Sequence, residues 1–134
     1  MAGYSGTPLL KKLGIKPGMR ILLMNEPPEY FDLLEADISD QLCTKKEIPD
    51  LVHLFVVKNK IFEAEIKNLQ NLCKKNPAVA IWVSWYKKNA KIPTDITEDT
   101  IRNFALKNSL VDVKVCAVSD IWSGLKLVVP LANR

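Results

Sequence analysis

The sequence predicts a single α/β domain: a small three-layer arrangement around a mostly parallel sheet of about five strands, closed by a C-terminal antiparallel β-hairpin. Two strand-like runs, 80–85 and 111–118, flank one helical segment, and a third run, 124–129, follows after a short connection. Strands that alternate with helices favour parallel pairing through right-handed crossovers, whereas strands joined by a short turn pair antiparallel. The fold class follows from this alternation.

The chain is predicted to begin with an arm, residues 1–18, that leads into the domain, residues 19–134. Glycine and proline are frequent in the arm, and its short apolar patch allows one or two helical turns. The run 20–24 is continuously apolar after its first residue, which is typical of a buried strand. A short helix is expected next, over 29–36, with Phe31 and Leu34 facing the core.

The middle of the chain is predicted to be a strand, a helix and a further strand. Residues 41–43 are compatible with a stub of edge strand, and 51–57 is a second continuous apolar run. From Asn59 onwards apolar side chains recur at helical spacing, and the helix stops at 76–77. The next strand is 79–85. The side chains expected on the buried face of this helix are Phe62, Ile66, Leu69 and Cys73.

The last helix is predicted to start with a capping pair, Asp95 and Glu98, and to be followed by the hairpin. Its inner face is expected to carry Ile101, Phe104 and Ala105. Residues 120–124 are expected to connect the two hairpin strands.

The composition limits the classes of partner and cofactor. The net charge is +4, with most of the positive charge on lysines that are interrupted by acids, so a solvated surface is favoured over a nucleic-acid interface. Three cysteines without CxxC spacing and one histidine do not make a standard zinc site. We therefore predict no metal and no nucleic acid.

No apolar run approaches the ~20 residues of a membrane span, and the N-terminal segment does not resemble a signal peptide. A membrane is not expected as a partner, and the expected location is the cytoplasm.

Polar and aromatic side chains follow the predicted strands at the edge where parallel strands end. Ligands of open α/β sheets bind outside these carboxyl ends, and the helix that starts near 95–97 would offer N–H groups to an anion there. The candidate ligand-binding residues are Asn25, Glu26, Trp85, Lys87, Lys88, Asp95, Asp99, Trp122 and Ser123.

Each candidate also has a structural interpretation. Trp82 and Trp85 point to opposite faces of a strand, and core packing is favoured for both. Trp122 can cover the N-terminal arm as well as a ligand. The carboxylates of Asp95 and Asp99 fit helix capping and the helix dipole. The lysines fit a solvated surface.

Two familiar kinds of catalytic or cofactor motif are missing. Ser84 lacks a G-x-S-x-G turn, and His53 lies in another apolar strand, where a satisfied core histidine is the expected role. The turn after the first strand, 25–29, contains no glycine and two prolines, so the usual phosphate or ribose grip is not predicted.

Seven short motifs are spread along the chain: 4–9 (YSGTPL), 13–18 (LGIKPG), 52–56 (VHLFV), 82–87 (WVSWYK), 94–99 (TDITED), 111–118 (VDVKVCAV) and 122–126 (WSGLK). With these motifs the chain resembles the bacterial family of unknown function DUF3052 over nearly its whole length. It departs from the family's pattern at Tyr86, where a proline usually follows the third strand. The resemblance implies no activity.

The order of elements also resembles, more loosely, a truncated class I methyltransferase (Rossmann-like) fold without its second and third strands. That resemblance implies a sheet order of 1-4-5-7-6 in methyltransferase strand labels. Because the glycine-rich turn is missing, it does not establish S-adenosylmethionine as a cofactor, and the cofactor stays open.

Three functions are compatible with these observations. The leading hypothesis is a non-catalytic or cryptic binder of a small anionic ligand or a protein partner. The alternative is a small transferase-like enzyme that uses Asp95 or Asp99 as a base and Lys87 as a clamp. A third is assembly through an exposed strand at 126–130.

Overall fold

The computed structural model describes residues 8–44 and 46–134. Of the predicted N-terminal arm, residues 1–7 lie outside the described residues, and the remainder contains a short helix. The helices are α1 (Leu9–Leu13), α2 (Tyr30–Leu34), α3 (Asn59–Asn68), α4 (Gln70–Lys75) and α5 (Glu98–Lys107), and the strands are β1 (Ile21–Met24), β2 (Leu51–Phe55), β3 (Ala80–Tyr86), β4 (Val111–Ala117) and β5 (Trp122–Val128).

The five strands form one sheet in the order β1-β2-β3-β5-β4. β1, β2 and β3 are parallel, whereas β5 runs antiparallel between β3 and β4. The predicted α/β class with a closing antiparallel hairpin is confirmed. The order also matches the 1-4-5-7-6 order that the methyltransferase resemblance implies.

Helices cover both faces of the sheet, which explains the continuously apolar strands. All residues of β2 are buried, and they alternate between two apolar clusters. Leu51 and Phe55 face α1 and α2, whereas Val52 and Leu54 face α3, α4 and α5. A strand buried on both faces has no need of polar residues at alternate positions.

The helix between β2 and β3 is confirmed, with a break at Leu69 that divides it into α3 and α4. The four apolar side chains predicted to face inward from it are all buried. The inner face of α5 is likewise confirmed, since Ile101 and Ala105 are buried and Phe104 packs against the same cluster.

The region between β1 and β2 differs from the prediction in two details. Phe31 is 41% exposed, and α2 instead buries Tyr30 together with Leu34. Tyr30 and Leu34 are four residues apart and share one helix face, and the Tyr30 hydroxyl on that face lies 2.8 Å from Nδ1 of the buried His53. The predicted edge-strand stub is a single parallel bridge between Leu42 and Ile21, because a short 3-10 helix occupies Ser39–Gln41.

The capping pair predicted for α5 is wrong. The N-cap is Thr97, whose hydroxyl accepts the amide of Thr100, while the Thr100 hydroxyl accepts the amide of Thr97. Asp95 lies too far before the first turn, and its carboxylate instead accepts the amide of Asn59, at the start of α3, at 2.6 Å.

The hairpin is also shorter in its connection than predicted. β5 begins at Trp122, so Trp122 lies in a strand and not in the turn. Since β5 lies between β3 and β4, the segment from Lys126 to Val128 is an interior strand. The prediction of an exposed pairing strand at 126–130 is therefore wrong, and the edges of the sheet are β1 and β4.

Candidate functional site

The edge where β1, β2 and β3 end carries two neighbouring clefts. The aromatic cleft, of about 380 Å³, is lined by Asn25, Pro27, Pro28, Phe55, Val56, Val57, Lys58, Ile61, Tyr86 and Trp122. The lysine cleft, of about 630 Å³, is lined by Trp85, Tyr86, Lys87, Lys88, Asn89, Ile92, Thr94, Ile96, Thr97, Glu98 and Ser123. Both volumes fall in the range of small-molecule sites, roughly 300–1,000 Å³.

Three rings from neighbouring strands form the wall of the aromatic cleft. Tyr86 and Trp122 are register partners in β3 and β5, and their rings stack with centroids 4.1 Å apart. Phe55, at the end of β2, meets the Trp122 ring edge-on at 4.9 Å. The antiparallel register therefore places these aromatic groups together, although Trp122 lies 36 positions after Tyr86 in the chain.

Trp122 is almost wholly buried, and its indole nitrogen has no hydrogen-bond partner among the described residues. A buried donor without a partner costs about 1–3 kcal/mol. Trp122 belongs to the same apolar cluster as α1, and its ring contacts are with Tyr86 and Phe55.

A loop over 87–97 forms one side of the lysine cleft, and hydrogen bonds fasten it to two other parts of the edge. The amide of Lys87 donates to the carbonyl of Ile121 at 2.8 Å. Further along the loop, the Thr94 hydroxyl donates to the carbonyl of Val57 at 2.5 Å, and Asp95 accepts the amide of Asn59. The loop that carries the lysines is thus held against the start of β5 and the segment that follows β2.

The positive charge of the lysine cleft is not neutralised by the acid in its lining. Among the described residues, neither Lys87 nor Lys88 has an ion-pair partner. The carboxylate in the lining, Glu98, pairs with Arg102 on the same helix. Because that acid is already compensated, the lysine charge is available to an anion.

The structure divides the predicted site between these two clefts. Trp85, Lys87, Lys88 and Ser123 line the lysine cleft, whereas Asn25 and Trp122 line the aromatic cleft. Glu26, Asp95 and Asp99 line neither of them.

Each of these three carboxylates has another position in the structure. Asp95 holds the start of α3, and Asp99 pairs with Arg102 at 3.1 Å. Glu26 is exposed, and its negative charge is a minor contribution to the raised pKa of Tyr30, after burial. The predicted core role of Trp82 and Trp85 is confirmed, since both are buried and Trp82 donates to the carbonyl of Leu13.

Beneath the aromatic cleft lies a buried hydrogen-bond chain. The Nδ1 atom of His53 is 2.8 Å from the Tyr30 hydroxyl, and its Nε2 atom is 2.7 Å from the Ser84 hydroxyl. All three side chains are fully buried. Burial lowers the pKa of His53 to about 3, so the imidazole is neutral, and burial also raises the pKa of Tyr30.

The arrangement of Ser84 and His53 does not form an accessible nucleophile, because no substrate reaches a fully buried hydroxyl. The expectation of a satisfied core histidine is confirmed. The Phe55 ring stacks on His53 at 4.4 Å, which connects this chain to the wall of the aromatic cleft.

The predicted ligand-binding residues do not include Phe55 or Tyr86. Phe55 lies inside the apolar run 51–57, which predicts core, and Tyr86 lies within the stretch 85–88 that the sequence places at this edge without giving Tyr86 a role. Only the register, which sets Tyr86 opposite Trp122, reveals an aromatic wall at this edge.

The turn after β1 has a special backbone conformation. Asn25 has a φ of 60°, in the left-handed region that asparagine tolerates better than most residues. Pro27 and Pro28 follow and lack N–H groups, so this turn offers few backbone donors to a bound phosphate.

The described residues contain no group of three or more His, Cys, Asp and Glu side chains placed to hold a metal ion. None of the described helices has the length and apolar character that crossing a membrane requires.

Comparison with solved structures identifies the fold. An S-adenosylmethionine-dependent methyltransferase from Aquifex aeolicus matches with a TM-score of 0.68 at 12% identity, covering 91% of this chain and 88% of its own. The chain has a methyltransferase-like Rossmann fold. Magnesium protoporphyrin IX methyltransferase from Synechocystis, solved with bound S-adenosylmethionine, matches with a TM-score of 0.58 at 14% identity and covers 91% of this chain and 74% of its own.

A third match is a tRNA methyltransferase from B. subtilis, with a TM-score of 0.56 at 11% identity, covering 92% of this chain and 65% of its own. The likeness to solved structures therefore does not support the exclusion of nucleic acid. No protein-family model and no curated protein matches the chain, and the resemblance to DUF3052 stays a prediction.

Proposed function

We propose that the chain is a non-catalytic binding domain that holds a small anionic ligand in the lysine cleft. The observation that carries this proposal is the pair Lys87 and Lys88, which face a cleft of about 630 Å³ and have no ion-pair partner among the described residues. Ser123 and Thr97 add hydroxyl groups to the same lining, and hydroxyls can donate to an anion's oxygens.

The fixed position of the loop favours binding. A flexible loop must be ordered when a ligand binds, and this ordering reduces the affinity. Here Thr94 and Asp95 already hold the loop against Val57 and Asn59. The lysines are therefore presented on a preorganised backbone.

The side chains that line the two clefts, among the residues the structure describes, favour binding over catalysis. The described lining of the two clefts contains no histidine and no cysteine, and its carboxylate, Glu98, is paired with Arg102. The chain's one histidine is fully buried with a lowered pKa. A general base in contact with solvent is not apparent among these groups.

The experiment is a titration of the protein with inorganic phosphate, followed by amide chemical shifts in NMR. We expect shifts in the 87–97 loop and at Ser123. Lys87→Ala with Lys88→Ala should weaken phosphate binding at least tenfold, because two cationic contacts are lost. A matched control is Lys74→Ala with Lys75→Ala, a lysine pair at the end of α4 that lies outside both clefts.

Equal phosphate affinity in the two double variants would contradict the proposal. Shifts confined to other parts of the surface in the unmodified protein would contradict it as well.

A second candidate function is a transferase-like enzyme, and the likeness to solved methyltransferases favours it. The glycine-free turn with Pro27 and Pro28 disfavours the usual cofactor grip. Thermal denaturation with excess S-adenosylmethionine separates the candidates, since a ligand at 100 times its Kd adds about 2.7 kcal/mol to the free energy of unfolding. We expect no shift, and a clear shift would favour the enzyme.

A further inference from the structure

We propose that the anionic ligand carries an aromatic ring, and that the ring lies in the aromatic cleft while the anionic group lies in the lysine cleft. The ligand class is thus an aryl or heteroaryl phosphate or carboxylate. This inference rests on the proposed function, because it takes the lysine cleft as the anion site.

The first step is that the two clefts are neighbours across the end of one strand. Tyr86 lines both of them. Trp85 of β3 and its register partner Ser123 of β5 line only the lysine cleft. Trp122, the register partner of Tyr86, lines only the aromatic cleft. Successive side chains of a strand point to opposite faces, so the clefts lie on the two faces of the sheet where β3 ends. A ligand that extends around the end of β3 at Tyr86 can therefore occupy both clefts.

The second step is the chemistry of the aromatic cleft. Its wall is the stacked pair of Tyr86 and Trp122 with Phe55 set edge-on. Pro27 and Pro28 also line the cleft. Aromatic groups prefer offset-stacked or edge-to-face contacts with other rings. A flat aromatic ring gains these contacts, an aliphatic chain has no aromatic face with which to make them, and the hydroxyl groups of a sugar find few polar partners in this lining.

The third step is charge. Among the described lining residues of the aromatic cleft, Lys58 carries the one formal charge, and the other polar side-chain groups are the Asn25 amide, the Tyr86 hydroxyl and the buried indole N–H of Trp122. Lys58 is exposed at the rim. Both clefts are therefore positive at their openings, and an anionic ligand is attracted to either side of Tyr86.

The experiment compares three probes by isothermal titration: inorganic phosphate, phenyl phosphate and cyclohexyl phosphate. Phenyl phosphate offers a ring and an anion, and cyclohexyl phosphate offers similar bulk without an aromatic face. We expect phenyl phosphate to bind at least tenfold more tightly than inorganic phosphate, and cyclohexyl phosphate to fall between them.

The variant is Tyr86→Leu, which keeps an apolar side chain and removes the ring. Because Tyr86 lines both clefts, the affinity for phenyl phosphate is compared with that for inorganic phosphate in the same variant. This ratio should fall to the value that cyclohexyl phosphate shows in the unmodified protein. In the unmodified protein, NMR should show nuclear Overhauser contacts between the phenyl protons and the indole protons of Trp122, and this measurement does not depend on the folding of a variant.

The results separate the two proposals. If inorganic phosphate binds through Lys87 and Lys88 but phenyl phosphate binds no more tightly and shows no contact with Trp122, the ring inference is overturned and the proposed function stands. If the lysine variants do not alter phosphate binding, the proposed function fails and the inference fails with it.

Discussion

At position 124, β5 passes so close to Val118 and Trp82 that a side chain larger than hydrogen would push these neighbours aside. A Cβ atom there would lie 3.0 Å from a methyl carbon of Val118 and 3.3 Å from the Trp82 ring. Trp82 cannot easily move away, because its indole nitrogen donates to the carbonyl of Leu13 at 2.9 Å in the buried core. The glycine in the Trp-Ser-Gly motif is thus explained by packing, and no ligand is needed to account for it.

We expect Gly124→Ala to lower the free energy of unfolding by about 1–3 kcal/mol, because overpacking forces neighbours out of place. Urea denaturation would measure the loss. In a Val118→Ala background the loss should be smaller, since the nearest obstructing methyl group is then absent. An equal loss in both backgrounds would show that Val118 is not the obstacle.

Hydrogen bonds join the buried side chains of Tyr30, His53 and Ser84. The sequence predicted His53 as a satisfied core residue, but it could not name the partners, because one lies in α2 and the other in β3. Those contacts exist only once helix and sheet have packed together.

Among the elements, the start of α5 shows how local signals can be misread. Asp95 and Glu98 have the spacing of a capping pair, and so do Thr97 and Thr100. The structure uses the second pair, and Asp95 instead holds the amide of Asn59. The choice depends on where the loop crosses the end of β2, which is a tertiary contact.

Thr97→Ala should destabilise the protein by about 1 kcal/mol, because the amide of Thr100 loses its acceptor. Thr97→Ser keeps a hydroxyl at the same position and is the matched control, with little change expected. Both values come from thermal or urea denaturation. A loss in the serine variant as large as in the alanine variant would indicate that the threonine methyl group, and not the cap, is responsible.

The edge strand β4 shows how the geometry of a whole strand affects its tendency to pair with another chain. It exposes Val113 and Val115, which on a flat edge would invite pairing with another chain. Its register with β5 shifts between Asp112 and Lys114, so the edge is irregular there. Bulges and lysines on an edge strand disfavour its pairing with another chain. The strand predicted to be exposed, at 126–130, instead belongs to the interior strand β5 up to Val128.

At the scale of the whole molecule, the buried histidine makes stability depend on pH. His53 has a pKa of about 3 in the folded state, against an ordinary value of about 6.5 when unfolded. Above pH 6.5 both states are neutral at this residue. Below pH 6.5 His53 binds a proton in the unfolded state but stays neutral in the folded state. The folded state therefore loses stability as the pH falls from 6.5 towards 3.

We expect the free energy of unfolding to decline below pH 6.5 with a slope approaching about 1.4 kcal/mol per pH unit. The chain has one histidine, and carboxylates titrate mainly lower, so the range from pH 6.5 to 5 isolates this effect. Urea denaturation at several pH values would measure it. The variant His53→Gln should be less stable at pH 7 and should lack the slope, and constant stability of the unmodified protein over this range would contradict the assignment.

The sequence by itself determined the fold class, the order of the elements and the buried faces of α3, α4 and α5. Those features follow from the local periodicity of apolar residues and from the alternation of strands with helices. A run of apolar residues is buried whichever elements pack against it. It also identified the edge of the sheet at which a ligand is expected.

Only the tertiary structure decided how that edge is divided. The register of β3 with β5 stacks Tyr86 on Trp122, and the loop over 87–97 turns Lys87 and Lys88 to the other face. The same contacts withdraw Asp95 from both clefts. Side chains far apart in the chain become neighbours through strand pairing and loop hydrogen bonds, and no local pattern in the sequence encodes which of them will meet.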